Sequence, residues 1–144
     1  NVYEVSDANG KPIALFYNDY FRRPTKRGGA WMSAFAKQSR NRGQKPIIYN
    51  VCNFAKAPEG KPTLLTWDEV CTLFHEFGHA LHGMLSDCEY NTLSGTAVAR
   101  DFVEMPSQFN ESFAAIPEIF DHYVLSHAGA SEKVIEACFK NKAQ

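Results

Sequence analysis

The chain has 144 residues, 44% of them apolar and 22% charged, with a formal net charge of −1. That length allows one domain with a sizeable core, and the near-neutral balance supplies no single-sign field for nucleic acid. No apolar run approaches the ~20 residues that cross a bilayer as a helix, so neither nucleic acid nor a membrane is an expected partner.

From the amino terminus, Val2 to Val5 and Ile13 to Tyr17 read as strands, joined by a turn through Asp7-Ala8-Asn9-Gly10 in which Asn-Gly suits positive φ. Arg22 to Gly29 is basic and contains glycine, the pattern of a solvated loop. Gly28, Gly29 and Ala30 lead into Trp31, and two readings stand side by side: an edge strand to which an extended peptide can add, or a glycine turn before a core tryptophan. Pro46 to Phe54 is a further β-branched and aromatic run, and Ala57-Pro58-Glu59-Gly60-Lys61-Pro62 is turn punctuation.

A helix follows. Thr66-Trp67-Asp68-Glu69 has the T-x-x-E form of a capping box, with acids in the first turn where they favour the dipole. Val70, Leu73, Phe74, Phe77, Leu81 and Leu85 continue near helical spacing. Inside this helix lies His75-Glu76-Phe77-Gly78-His79, the H-E-x-x-H pattern. Residues four apart share a helix face, so His75 and His79 can direct imidazole nitrogens at one Zn²⁺. Glu76, rotated by about 100° from His75, is placed to reach a metal-bound water as general base.

Catalytic zinc takes three protein ligands and keeps one position open. A third histidine in the H-E-x-x-H-x-x-G-x-x-H arrangement would fall at Leu85, which excludes that class. Glu104, 25 positions past His79, leaves enough chain for the helix to end and the backbone to return, giving a His75, His79, Glu104 set. Asp101 to Glu104 also has the spacing of a helix N-cap and its acidic partner, and taken alone that capping reading of Glu104 outweighs the ligand one. Three neighbours carry open readings too. His82 is about 10 Å along the axis from His75, too far for the same ion, and is either an outer hydrogen-bonding group or a packed ring. Gly78 would let another element, such as the sheet, approach the helix, and Gly95 in the aperiodic stretch 86 to 100 belongs either to a plain loop or to a backbone brought close to substrate.

A further helix is expected from Asp101 or Pro106, with Ser107, Gln108 and Glu111 on the side of Glu104, and Pro106 bending the first turns if Asp101 is the cap. Later helices are expected over 110 to 126, interrupted near Pro117, and over 131 to 142 with Ser131 as cap. The expected class is α+β, mostly helical, with a small antiparallel-type sheet on the N-terminal side followed by the zinc helix and further helices. Cys52, Cys71, Cys88 and Cys138 form no C-x-x-C pair and read as reduced thiols, which favours a cytoplasmic location.

Residues 74 to 83, with Leu93-Ser94-Gly95-Thr96 and Arg100-Asp101-Phe102-Val103-Glu104-Met105-Pro106-Ser107-Gln108, Arg27-Gly28-Gly29-Ala30-Trp31-Met32 and Ile47-Ile48-Tyr49-Asn50-Val51-Cys52-Asn53-Phe54, resemble the thimet oligopeptidase family of zinc peptidases over about residues 10 to 116. The Ile-Tyr-Asn-Val-Cys-Asn stretch, Leu65-Thr66-Trp67-Asp68-Glu69-Val70 and His82-Gly83 look most like its peptidyl-dipeptidase branch. The resemblance implies an enzyme with one Zn²⁺ per chain, ligated by His75, His79 and Glu104, with Glu76 as the catalytic glutamate. It also implies a zincin-like core, short peptides as substrates and release of C-terminal dipeptides, with endo-acting cleavage or zinc binding without catalysis as alternatives. Members are several times longer, with helices walling a channel, so residues 1–144 are expected to be part of a catalytic domain. The N- and C-terminal parts, including a loop whose tyrosine and histidine contact substrate, are expected to complete it.

Overall fold

The computed structural model describes residues 1–61 and 63–125. Four strands come first: β1 (Val2–Ser6), β2 (Pro12–Phe21), β3 (Trp31–Ala36) and β4 (Ile47–Phe54). Among the described residues three helices follow, α1 (Trp67–Met84), α2 (Met105–Phe113) and α3 (Pro117–Leu125), with a short 3₁₀ turn at Asn91–Leu93. The α+β class is as expected. The helix expected over 131 to 142, with its Ser131 cap, and Cys138 lie outside the described residues.

The β1–β2 turn closes on Asp7, whose carboxylate accepts from the backbone N–H groups of Asn9 and Lys11 while Gly10 supplies φ +79°. Strand order is β1-β2-β4-β3, with β1–β2 and β3–β4 antiparallel and β2–β4 parallel, so the sheet is mixed where an antiparallel one was expected. The cause is burial: β4 presents Ile48, Asn50, Cys52 and Phe54, all buried, on one face, and a strand with that face inserts into the centre of the sheet. Trp31–Ala36 is left on the edge, which agrees with the edge-strand reading.

The basic loop after β2 is not merely solvated. The Lys26 side chain is 4% exposed, and its ammonium donates to the carbonyls of Asp19, Phe21 and Cys52 and pairs with the Asp19 carboxylate at 3.2 Å. Asn53 Nδ2 donates to the carbonyls of Arg27 and Gly29, so the approach to β3 is tied to β4 at two points.

Helix α1 starts at the expected capping box, the Glu69 N–H donating to Thr66 Oγ1 (3.3 Å) and the Thr66 N–H to Glu69 Oε2 (2.9 Å). Its sheet-facing stripe is Glu76, Ala80, Gly83 and Met84, and Ala80 and Met84 form the core with Ala14, Phe16 and Ile48. Gly83 approaches the sheet closely: a Cβ there would lie 2.8 Å from Ile48 Cδ1. Leu85, counted in the apolar stripe from spacing, stands 62% exposed beyond the helix end. The chain after α1 is sewn to the β3–β4 connection, with Gln38 exchanging hydrogen bonds with the Cys88 backbone and Arg40 pairing with Asp87.

Candidate metal centre

His75 and His79 are one turn apart on α1, their ring centroids 5.0 Å apart. Each turns Nε2 toward the same oxygen, Glu104 Oε2, at 3.2 Å from His75 and 3.1 Å from His79. One ligand atom from each of the three residues lies within 4.8 Å of the others. Two donors bound 2.0–2.1 Å from a tetrahedral zinc would stand about 3.4 Å apart, so the histidine–glutamate separations fit the ion, as does the N/N/O donor chemistry.

Glu104 reaches this point because α2 begins one residue after it. Asp101 stays in the preceding turn, which removes it as cap, and Glu104 takes the cap position without any side-chain capping bond. Its carboxylate instead accepts from Ser107 Oγ at 2.9 Å. That bond, the largest influence, holds the Glu104 pKa below the ordinary carboxylate range; burial opposes it, and His79 and His75 nearby add to the lowering. Pro106 falls in the first turn of α2, where its missing N–H has no intrahelical partner to lose, so the bend expected from an Asp101 cap does not arise.

The crossing of α1 and α2 is set by Gly78. A Cβ there would meet the Pro106 carbonyl oxygen and Ser107 Cα at 2.7 Å, so the element packed against this glycine is α2 and not the sheet. Asn110 Nδ2 donates to the Phe74 carbonyl at 2.6 Å and locks the same crossing from the next turn.

Glu76 is 7% exposed on the sheet side of α1, and its Oε2 is buried without a partner. Burial pushes its pKa up; the neighbouring His75 opposes this and Glu104 adds to it. Burial likewise lowers the His79 pKa and favours the neutral imidazole that a metal requires. A cavity of about 350 Å³ lined by Asp68, Cys71, Thr72, His75, Glu76 and Glu111 adjoins this side of the helix.

Glu111 escaped the reading from spacing as more than a neighbour. Its Oε2 lies 3.1 Å from His75 Nδ1, the geometry in which a ligating histidine donates its second N–H to a carboxylate. The available signal was its place seven residues, two turns, past Glu104. His82 packs edge-on to Phe102, and its buried Nδ1 has no partner, so the outer hydrogen bond expected of it is not formed at that nitrogen. Gly95, at φ +60°, approaches the backbone of Gly83 and serves packing of the loop on α1.

A mixed sheet thus backs the H-E-x-x-H helix, and a glutamate is delivered to its two histidines from the start of the next helix. The chain belongs to peptidase family M3, whose sequence profile matches residues 1–143. It is 52% identical over 133 residues to a protein named dipeptidyl carboxypeptidase from Salmonella typhimurium, covering 92% of this chain and 19% of that protein. Against the dipeptidyl carboxypeptidase of Escherichia coli it is 55% identical over 122 residues, 85% of this chain and 18% of that protein. With oligopeptidase A of Escherichia coli the identity is 46% over 129 residues, 84% and 19%. The chain thus spans about a fifth of the length of these relatives. The resemblance to the thimet oligopeptidase family and its peptidyl-dipeptidase branch agrees with these likenesses.

Proposed function

We propose that residues 1–144 form the zinc-holding part of a catalytic domain that hydrolyses short peptides and releases dipeptides from their C-termini. The observation that carries this reading is the convergence of His75 Nε2, His79 Nε2 and Glu104 Oε2 beside the buried Glu76 carboxylate. One Zn²⁺ on these three residues would polarise the scissile carbonyl and acidify the attacking water. Glu76, its pKa raised chiefly by burial, takes the proton from that water and hands it to the leaving amine. Glu111 orients the His75 ring, and Ser107 orients the Glu104 carboxylate.

The outer edge of β3, Trp31–Ala36, which no strand pairs among the described residues, is the surface on which we place the substrate backbone, since such an edge offers N–H and C=O groups to an extended peptide. The groups that anchor the substrate's terminal carboxylate and complete oxyanion stabilisation are assigned to parts of the longer protein outside this chain. Among the described residues, Cys52 and Cys88 are free thiols, which fits a reducing cytoplasm, and no helix is long and apolar enough to cross a membrane.

The test is Glu76→Gln in the full-length protein. It is expected to keep zinc and lose about 10²–10⁴-fold in turnover; turnover near that of the wild type removes Glu76 as the base. The likeness to oligopeptidase A favours endo-acting cleavage as a second reading. Mass analysis of products separates the two, because exclusive appearance of C-terminal dipeptides supports the first and internal fragments support the second. Zinc content and cleavage by the 144-residue chain alone, measured beside the full-length protein, show whether this part binds metal without turnover.

A further inference from the structure

Five buried side-chain polar atoms among the described residues lack a hydrogen-bond partner, and all five belong to α1 or to the strand beneath it: Asn50 Oδ1 and Nδ2, Glu76 Oε2, His79 Nδ1 and His82 Nδ1. Buried polar atoms are seldom left so, because an unmade bond in a dry interior destabilises the fold. Asn50 is the extreme case, 0% exposed on the central strand with both ends of its amide unpaired. An apolar side chain would pack there at no such penalty, so the carboxamide calls for a role.

Register places it. On the inner face of β4, Ile48 lies against Gly83, and Cys52 lies near enough to Glu76 for that carboxylate to raise the thiol's pKa. Strand and helix therefore run in opposite directions. Two strand residues advance about 6.7 Å and one helical residue about 1.5 Å, so Asn50, midway between those contacts, falls level with the turn from Glu76 to Ala80.

The unpaired atoms are also chemically complementary. With Nε2 taken up by a zinc ion on His75, His79 and Glu104, the neutral His79 ring would carry its one proton on Nδ1 and need an acceptor there. Ionised Glu76 has acceptors only and needs a donor at Oε2. A carboxamide offers one of each. No direct bond joins it to either residue, and ordered water is the bridge such polar interiors use.

We propose that Asn50 is a positioning residue for the catalytic helix: through ordered water its Oδ1 accepts from His79 Nδ1 and its Nδ2 donates to Glu76 Oε2. One amide would then fix the orientation of a metal-holding ring and of the catalytic carboxylate together. This rests on the peptidase reading above.

In the full-length zinc-loaded protein, Asn50→Leu is expected to lower kcat about 10–100-fold with KM little changed, and to weaken zinc retention against a chelator by a similar factor. Asn50→Ser, whose hydroxyl can donate and accept through the same water, should restore most of both. If Asn50 is only a packed residue, the leucine variant instead melts higher, with kcat and zinc retention at wild-type values, and the proposal is overturned. Should the leucine variant not fold, the serine variant and a high-resolution structure of the zinc-loaded wild type decide. Water linking the amide to both Glu76 and His79 supports the role, and its absence from a well-ordered site rejects it. A wild-type protein that neither retains zinc nor cleaves peptides overturns the peptidase reading itself, whereas an active wild type with an indifferent leucine variant overturns only the role of Asn50.

Discussion

Gly78 and Ser107 touch with no room for a side chain between them: a Cβ on Gly78 would stand 2.7 Å from Ser107 Cα. The absent methyl group is what lets α2 cross α1 closely enough for Glu104 to meet both histidines. Gly78→Ala gains about 0.8–1.0 kcal/mol of helix propensity. Forcing a methyl into backbone contact costs about 1–3 kcal/mol, so the clash wins. The expected outcome is a lower melting temperature together with weaker zinc binding, because relief of the clash moves α2 and Glu104 with it. Equal zinc affinity in the alanine variant would falsify this coupling.

Glu104 and Glu111 are expected to separate by function although both are carboxylates of the same helical segment. Glu104→Ala removes the oxygen that both histidines face but no capping bond, so on the proposed reading it should abolish tight zinc binding while changing the stability of the metal-free protein little. Glu111→Gln keeps the volume and weakens the acceptor on His75 Nδ1, which should lower zinc affinity about 10–100-fold. Competition with a zinc chelator, alongside thermal melts without metal, checks both. Should Glu104→Ala keep its affinity and melt lower instead, Glu104 is a cap and not a ligand.

The shared helix of His75, Glu76 and His79 and its capping box could be read from sequence because each depends on spacing within one helix. Glu104 could be nominated by its distance along the chain, but the choice between ligand and cap needed the start of α2, which Pro106 shifts to Met105. Longer-range placements were beyond a local pattern. The parallel β2–β4 pairing follows from which strand buries a face completely, and Gly78 could be seen as a contact point without showing that α2 fills it. Lys26 sits in a run of basic residues indistinguishable by composition from a solvated loop, and only the three carbonyls around it reveal its burial.

Lys26 gives the next prediction. Lys26→Met leaves the carbonyls of Asp19, Phe21 and Cys52 without this donor, at a cost of about 1–3 kcal/mol for each that stays dry. The partner Asp19 has its pKa held down first by the hydrogen bond from Arg23 and then by Lys26, with burial opposing. A carboxylate depressed in the folded state contributes stability above its unfolded pKa of about 3.9 and loses it as pH falls through the folded value. Denaturant melts should therefore show wild-type stability dropping below about pH 4, and Asp19→Asn should flatten that drop. The effect is small, since the carboxylate is 41% exposed and screened by solvent. An unchanged acid slope in the asparagine variant rules out this contribution.

Cys52 is expected to be the inert thiol of the described three. It is fully buried on β4, and its pKa is pushed up to about 12, mainly by burial and further by the Glu76 carboxylate, so the reactive thiolate is scarce near neutrality. Cys71 and Cys88 are only half-buried. Brief alkylation of the native protein at about pH 8, below the ordinary thiol value, should thus mark Cys88 and spare Cys52 until denaturant is added. The rate at Cys52 then reports opening of α1 from the sheet, because the reagent can reach it only when that contact parts. Metal that stiffens the helix should slow this rate, and removing zinc with a chelator should raise it. Native labelling of Cys52 as fast as Cys88 means the helix–sheet contact opens far more freely than its packing implies.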